Sequence, residues 1–188
     1  MEKDYILNWL RENLDKERFL HSLGTAKMAA QLAKKYGLNE EKAELAGLVH
    51  DCAKCYPTEE LLRIIKEQLP EIPECELLNY KTFHAPVGAL VAKEKFGIED
   101  EQILNAIRSH TIGRVNMSTF EMAIYLADKI EEETRPKDFS DEILHIVKFG
   151  TLESAVLKCI ESTIKSLVAR RLKVCHTTID VYNWLLSH

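Results

Sequence analysis

Apolar side chains recur along this chain at intervals of three and four residues, as in Leu23, Ala26, Ala30 and Ala33 and again in Leu152, Ala155, Val156, Ile160, Ile164, Leu167 and Val168. That spacing lines one face of a helix, and the period-two alternation of a half-buried strand is missing. Helix punctuation agrees with the periodicity. Gly37 and Gly97 follow apolar-periodic segments, Asn39 precedes Glu40-Glu41, Thr58 precedes Glu59-Glu60, Ser118-x-x-Glu121 is a capping box, and Pro86 suits the first turn of a helix. Together they predict helices over residues 4–15, 18–36, 40–52, 58–69, 86–96, 100–110, 118–133, 141–149 and 151–172, with a short tenth at 178–187. The expected fold class is all-α, a single bundle of about nine or ten helices over residues 1–188. No linker divides it, since the 7 glycines and 5 prolines are scattered. Residues 69–83 are the longest stretch without helical period, a length at which loops are often functional, and they run straight into His84.

Composition narrows the class. At 188 residues, 46% hydrophobic and 29% charged, the chain has the balance of a soluble globular domain. The 25 Lys and Arg against 30 Asp and Glu leave a net charge of −5. Such a surface offers no broad attraction to nucleic acid, and any phosphate ligand needs a local positive centre. The start Met1-Glu2-Lys3-Asp4 lacks an export signal and no run of about 18 apolar residues follows, so a cytoplasmic protein without membrane attachment is expected. Five cysteines, an odd number at irregular spacing, read as reduced thiols. Cys52-x-x-Cys55 lacks the second ligand pair of a zinc site and the strand context of a redox motif, and reads as two ordinary thiols on a helix end.

The candidate chemistry lies in the seven histidines. His21, His50, His84 and His110 fall at helix ends or on apolar-flanked helix positions, and His50 is followed at once by Asp51 at the end of the apolar run Leu45 to Val49. Adjacent helical residues point about 100° apart, so His50 and Asp51 can flank one ion. Asp128, inside Ile124-Tyr125-Leu126-Ala127-Asp128, is a carboxylate on an apolar helix and needs a partner against its desolvation. A metal would serve, and so would Lys129 or an arginine from elsewhere. Taken singly, a histidine at a helix end is a capping or dipole-stabilising group. The ordered set H, HD, H, H, D on successive helices favours metal ligation.

With its flanking words, that set resembles the HD-domain metal-dependent phosphohydrolase superfamily from about Arg18 to Arg135. The words are Arg18-Phe19-Leu20-His21-Ser22, His50-Asp51-Cys52-Ala53-Lys54, Phe83-His84-Ala85-Pro86-Val87-Gly88-Ala89, Ala106-Ile107-Arg108-Ser109-His110-Thr111-Ile112-Gly113 and Tyr125-Leu126-Ala127-Asp128-Lys129-Ile130-Glu131. Together they resemble the bacterial symmetrical bis(5'-nucleosyl)-tetraphosphatases, which split diadenosine tetraphosphate into two ADP. That family continues with a short Ile-Glu-Pro-x-Arg stretch. Here Glu132-Glu133-Thr134 precede Arg135, one residue longer and without the proline.

The resemblance implies that His21, His50, Asp51 and Asp128 hold one ion and Asp51, His84 and His110 a second, with Asp51 bridging and Asp51, His84 and Lys54 central to catalysis. Two such ions acidify a water and clamp phosphoryl oxygens. Imidazole and carboxylate donors without thiolate suit two divalent or mixed-valence ions of Fe, Mn, Co or Ni, and the resemblance points to iron. Lys54 and Arg18, one turn from Asp51 and His21, are the first candidates for phosphate contacts. Thr111, Gly113 and Arg135 are further candidates for substrate binding. In the C-terminal words Cys175-His176-Thr177-Thr178 and Tyr182-Asn183, His176 is either a nucleotide contact or part of a helix cap made by the threonines. His145 and His188 read as surface residues. The expected partner is a dinucleoside polyphosphate, with ADP or a GDP-like product, and apolar residues on the last two helices could serve a homodimer. Alternatives are a nucleotidase or other nucleotide phosphohydrolase, a slow-turnover nucleotide-binding regulatory module, and an inert helical interaction domain.

Overall fold

A computed structural model describes residues 3–187. The helices are α1 (Lys3–Asn13), α2 (Lys16–Lys35), α3 (Glu40–Val49), α4 (Thr58–Gln68), α5 (His84–Phe96), α6 (Glu101–Ser109), α7 (Thr119–Ile130), α8 (Lys137–Phe149), α9 (Leu152–Ala169) and α10 (His176–Leu186). Three 3₁₀ turns, Cys52–Cys55, Glu74–Leu78 and Tyr80–Thr82, complete it, and the described residues contain no strand. The all-α expectation holds. His188 lies outside the described residues.

The apolar stripes explain the assembly. From Phe120 to Asp128 every residue of α7 is buried, and this helix forms the centre against which α2, α3, α6, α8 and α9 pack. Helix α2 buries a face of small residues, Gly24, Thr25, Ala26, Ala29 and Ala33, and so lies very close to α3. The contact needs a glycine at position 47. A Cβ there would stand 2.8 Å from the Thr25 carbonyl oxygen and 2.9 Å from Ala26 Cα.

Several helix ends differ from the expectation, each for a local reason. Helix α3 stops at Val49 rather than residue 52, because Asp51 leaves the helical region and its carbonyl takes the Lys54 amide, opening the first 3₁₀ turn. Helix α5 begins at His84, two residues before the expected start at Pro86. Helix α7 ends at Ile130 rather than 133, because the amides of Glu133 and Thr134 turn back to the Glu131 carboxylate. Helix α8 starts behind Pro136, four residues before its first expected residue. Helix α9 ends at Ala169 rather than 172. Arg171 is left-handed with φ 56°, and the Leu172 amide reaches the Leu167 carbonyl at 2.9 Å, which is a Schellman closure. Residues 69–83 are the irregular stretch expected, punctuated by two of the 3₁₀ turns. They are tied to the start of α10 by Cys75 and Cys175, whose sulfurs lie 2.7 Å apart as free thiols.

Candidate metal centre

Three helix C-termini and one N-terminus meet at a single point. His50 is the C-cap of α3, His110 the C-cap of α6, Asp128 lies in the last turn of α7, and His84 opens α5. His21 faces them from the middle of α2 and is buried. Carbonyl-rich helix ends carry partial negative charge, so this convergence favours a cation before any side chain is counted.

The six candidate ligands are all buried and all close. His21 Nε2 lies 3.2 Å from His50 Nε2 and 3.0 Å from Asp128 Oδ1. His84 Nε2 lies 3.0 Å from His110 Nε2 and 3.1 Å from Asp51 Oδ1. The two oxygens of Asp51 face different rings: Oδ1 faces His84, His110 and, at 3.7 Å, His50, and Oδ2 faces His21 at 3.9 Å. Three trios, His21/His50/Asp51, His50/His110/Asp128 and Asp51/His84/His110, each bring their donor atoms within 4.8 Å of one another.

Ring protonation shows that this donor set suits a cation. His50 Nδ1 donates to the Gly47 carbonyl at 2.7 Å, His110 Nδ1 donates to the Ile107 carbonyl at 2.6 Å, and His21 Nδ1 meets the Glu131 carboxylate at 3.0 Å. Since those oxygens accept, Nδ1 is the donor in each ring and Nε2 is the atom left to face the cluster. His21 and His50 bring their Nε2 atoms to within 3.2 Å of each other beside two carboxylates, an arrangement that a divalent ion suits. Burial lowers His84 to about 4 and also lowers His110, despite Asp51 nearby, which keeps both rings neutral and ready to ligate. In His50 burial acts the same way but is outweighed by Asp51 and Asp128, so its pKa is raised. Burial would raise the Asp51 and Asp128 carboxyls. Instead His50, His110 and His84 hold Asp51 well below the usual range, while Lys129, His21, His50 and Arg135 do so for Asp128.

Above the ligands opens a cleft of about 430 Å³. Arg18, Lys54, Lys81, Lys129 and Arg135 line it against Asp15, Glu17, Asp51 and Asp128, so it is locally cationic although the chain is acidic. Lys54 is half-buried on the first 3₁₀ turn, and burial lowers its pKa against the pull of Asp51. Arg18 Nη1 stands 3.8 Å from Asp51 Oδ2. Arg135 reaches the site in spite of the longer connection: its Nε donates to the Asp128 carbonyl at 2.6 Å and its Nη2 to Asp128 Oδ1 at 2.5 Å. Both alternative partners of Asp128 are therefore present, since Lys129 Nζ also donates to its Oδ2 at 2.5 Å.

Thr111 lines the cleft, whereas Gly113 and His176 do not. Gly113 has φ 79° behind α6 and packs toward Val181 of α10. His176 is exposed at the first position of α10, and neither Thr177 nor Thr178 caps that helix, whose N-cap is Cys175. His145 is exposed against the Phe149 ring. Sequence reasoning missed Lys81, Thr134 and Glu131, and it named Lys129 as a partner of Asp128 without placing it in the cleft. Lys129 was marked by its place after Asp128, but Glu131 sits in a Glu-Glu-Glu run that reads as a solvated surface.

Residues 18–133 match the HD domain family, and the chain belongs to it. Over its whole length it is 36% identical to the symmetrical bis(5'-nucleosyl)-tetraphosphatase of Bacillus subtilis strain 168, covering 99% of that protein. It is 32% identical to the enzyme of the same name from Staphylococcus aureus over 93% of this chain and 89% of that one. Within the HD-domain proteins it therefore falls with the symmetrical bis(5'-nucleosyl)-tetraphosphatases. A crystal structure from Clostridium acetobutylicum, described as a predicted HD superfamily hydrolase involved in NAD metabolism, superposes with a TM-score of 0.93. It is 38% identical, and the match covers 100% of this chain and 98% of that one.

Proposed function

We propose that this chain hydrolyses diadenosine tetraphosphate and related dinucleoside tetraphosphates symmetrically, giving two nucleoside diphosphates. The observation that carries the reading is the central place of the Asp51 carboxylate, whose Oδ2 faces His21 and whose Oδ1 faces His84, His110 and His50, which suits a pair of ions sharing one ligand beneath a cationic cleft. His21, His50, Asp51 and Asp128 would hold one ion and Asp51, His84 and His110 the other, with iron or another imidazole- and carboxylate-loving metal as occupant. Bound there, the ions supply an acidified water and neutralise phosphoryl oxygens.

The chain's own residues do the rest. Arg135 and Lys129, both anchored on Asp128, hold a polyphosphate above the ligands, with the guanidinium providing a two-pronged contact. Lys54 and Arg18 meet the charge that builds on the departing phosphate oxygen as water attacks phosphorus and the P–O bond to the leaving diphosphate breaks. Thr111 supplies a hydroxyl at the cleft wall. Gly113 and His176, outside the cleft, would serve the nucleoside beyond it. The same reading places the protein in the cytoplasm. No helix among the described residues is long and apolar enough to cross a membrane.

The experiment is metal analysis coupled to product analysis on diadenosine tetraphosphate with added iron(II) or manganese(II). Two ADP per substrate, lost in Asp51→Asn together with bound metal, are expected. ATP plus AMP would overturn the symmetrical assignment, and inorganic phosphate released from deoxynucleotides would instead mark a nucleotidase.

A further inference from the structure

Glu131 is the one fully buried member of the acidic run Glu131-Glu132-Glu133, with 0% of its surface exposed. A carboxylate in that position must be satisfied from within the protein. It accepts the Glu133 amide at 2.7 Å and the Thr134 amide at 3.1 Å, takes the Thr134 hydroxyl, and meets His21 Nδ1 at 3.0 Å. The opposite wall is Gly24, one turn along α2 from His21, where an added Cβ would collide with Glu131 Oε2. The carboxylate is thus held on three sides and has its fourth on a candidate metal ligand. The other two rings with a defined Nδ1 partner differ in kind: His50 and His110 rest on neutral main-chain carbonyls.

We propose that Glu131 is a positioning residue of the metal centre: it fixes His21 in the Nδ1-protonated form with Nε2 turned to the ion, and its charge makes the ion on the His21 side the more tightly held of the two. Gly24 belongs to the same device, since only a residue without a Cβ leaves room for the carboxylate. A carboxylate behind a ligating imidazole makes the ring a stronger donor, and such outer partners are worth about 10- to 100-fold in metal affinity. The inference rests on the metal-centre reading above, and its test separates the two.

The full-length protein, stripped of metal, is titrated with manganese(II) alone and followed by electron paramagnetic resonance. Wild type is expected to fill in two unequal steps. Glu131→Gln, which keeps the shape but removes the charge, and Gly24→Ala, which displaces the carboxylate without touching His21, should each weaken the tighter step by about 10- to 100-fold and leave the weaker one in place. Equal steps in wild type, a variant isotherm superimposable on wild type, or a loss confined to the weaker step would overturn the proposal. A wild type that binds no manganese(II) would overturn the metal-centre reading itself. Histidine side-chain nitrogen spectra of the metal-free wild type give a check that needs no variant to fold. His21 should carry its proton on Nδ1, and a proton on Nε2 would sink the idea.

Discussion

Replacing Gly47 by alanine separates what holds the fold from what spaces the ligands. The new Cβ would lie 2.8 Å from the Thr25 oxygen, 2.9 Å from Ala26 Cα and 3.0 Å from Ala26 N. All three are main-chain atoms of α2, so no rotamer change relieves the contact. Atoms of this kind rest about 3.5–4.0 Å apart, so α2 and α3 must separate by roughly 0.5–1 Å. Overpacking in a core is worth about 1–3 kcal/mol, offset by about 1 kcal/mol of helix propensity gained when glycine becomes alanine. The net loss, about 1 kcal/mol, lowers Tm by only about 2–4 °C in a chain of this length. The site responds more strongly. Gly47 holds the His50 ring through its carbonyl at 2.7 Å, while His21 rides on α2, so the separation opens the 3.2 Å pair directly. A misplacement of about 1 Å in a catalytic constellation is worth about 100-fold in rate. Calorimetry and steady-state kinetics with saturating metal should therefore show a small fall in Tm and a fall of about 100-fold in kcat/KM. A variant with wild-type kcat/KM would refute the claim that this helix contact sets the ligand spacing.

Arg135→Lys keeps the charge but cannot bridge the Asp128 carbonyl and carboxylate together; losing one charged hydrogen bond of about 1.5–3 kcal/mol should lower kcat/KM by about 10- to 100-fold. Removal of metal by a chelator should lower Tm by roughly 5–10 °C relative to protein at free metal about 100 times Kd, where binding adds about 2.7 kcal/mol, as thermal scans would show. Glu121 is buried, which would raise its pKa, but the two-pronged contact from Arg114 at 2.6 Å and the Ser118 cap hold it below its ordinary 4.5. A depressed folded-state pKa gives stability that is complete above the unfolded value of about 4.5 and is lost as the pH falls through the folded one. Denaturant midpoints measured between neutral pH and pH 3 should therefore fall more steeply for wild type than for Glu121→Gln.

Much of this site was legible in the sequence because metal ligation needs particular residue types. His21, His50, Asp51, His84, His110 and Asp128 stand out when each lies at the edge of an apolar helical stripe. The helices were legible for the same periodic reason, and Ser118-x-x-Glu121 and Asn39 cap as their spacing suggests. Helix ends were harder, because they depend on contacts far along the chain or on irregular backbone. Helix α7 stops where it does because Glu131 turns inward and collects the next amides. An inward-facing glutamate between a ligand helix and two exposed glutamates leaves no periodic trace. Lys81 and Thr134 escaped notice because they reach the cleft from irregular segments, where spacing carries no orientation.

His21 and Asp128 approach to 3.0 Å although 107 residues separate them along the chain. At a synthesis rate of about 5–20 residues per second, His21 joins the chain roughly 5–20 s before Asp128 does. A nascent chain that ends short of Asp128 carries the Asp51, His84 and His110 trio but lacks the carboxylate that meets His21 and His50. The His21 side of the cluster is therefore the last part to be completed during synthesis, after the Asp51, His84 and His110 trio is already present in the chain.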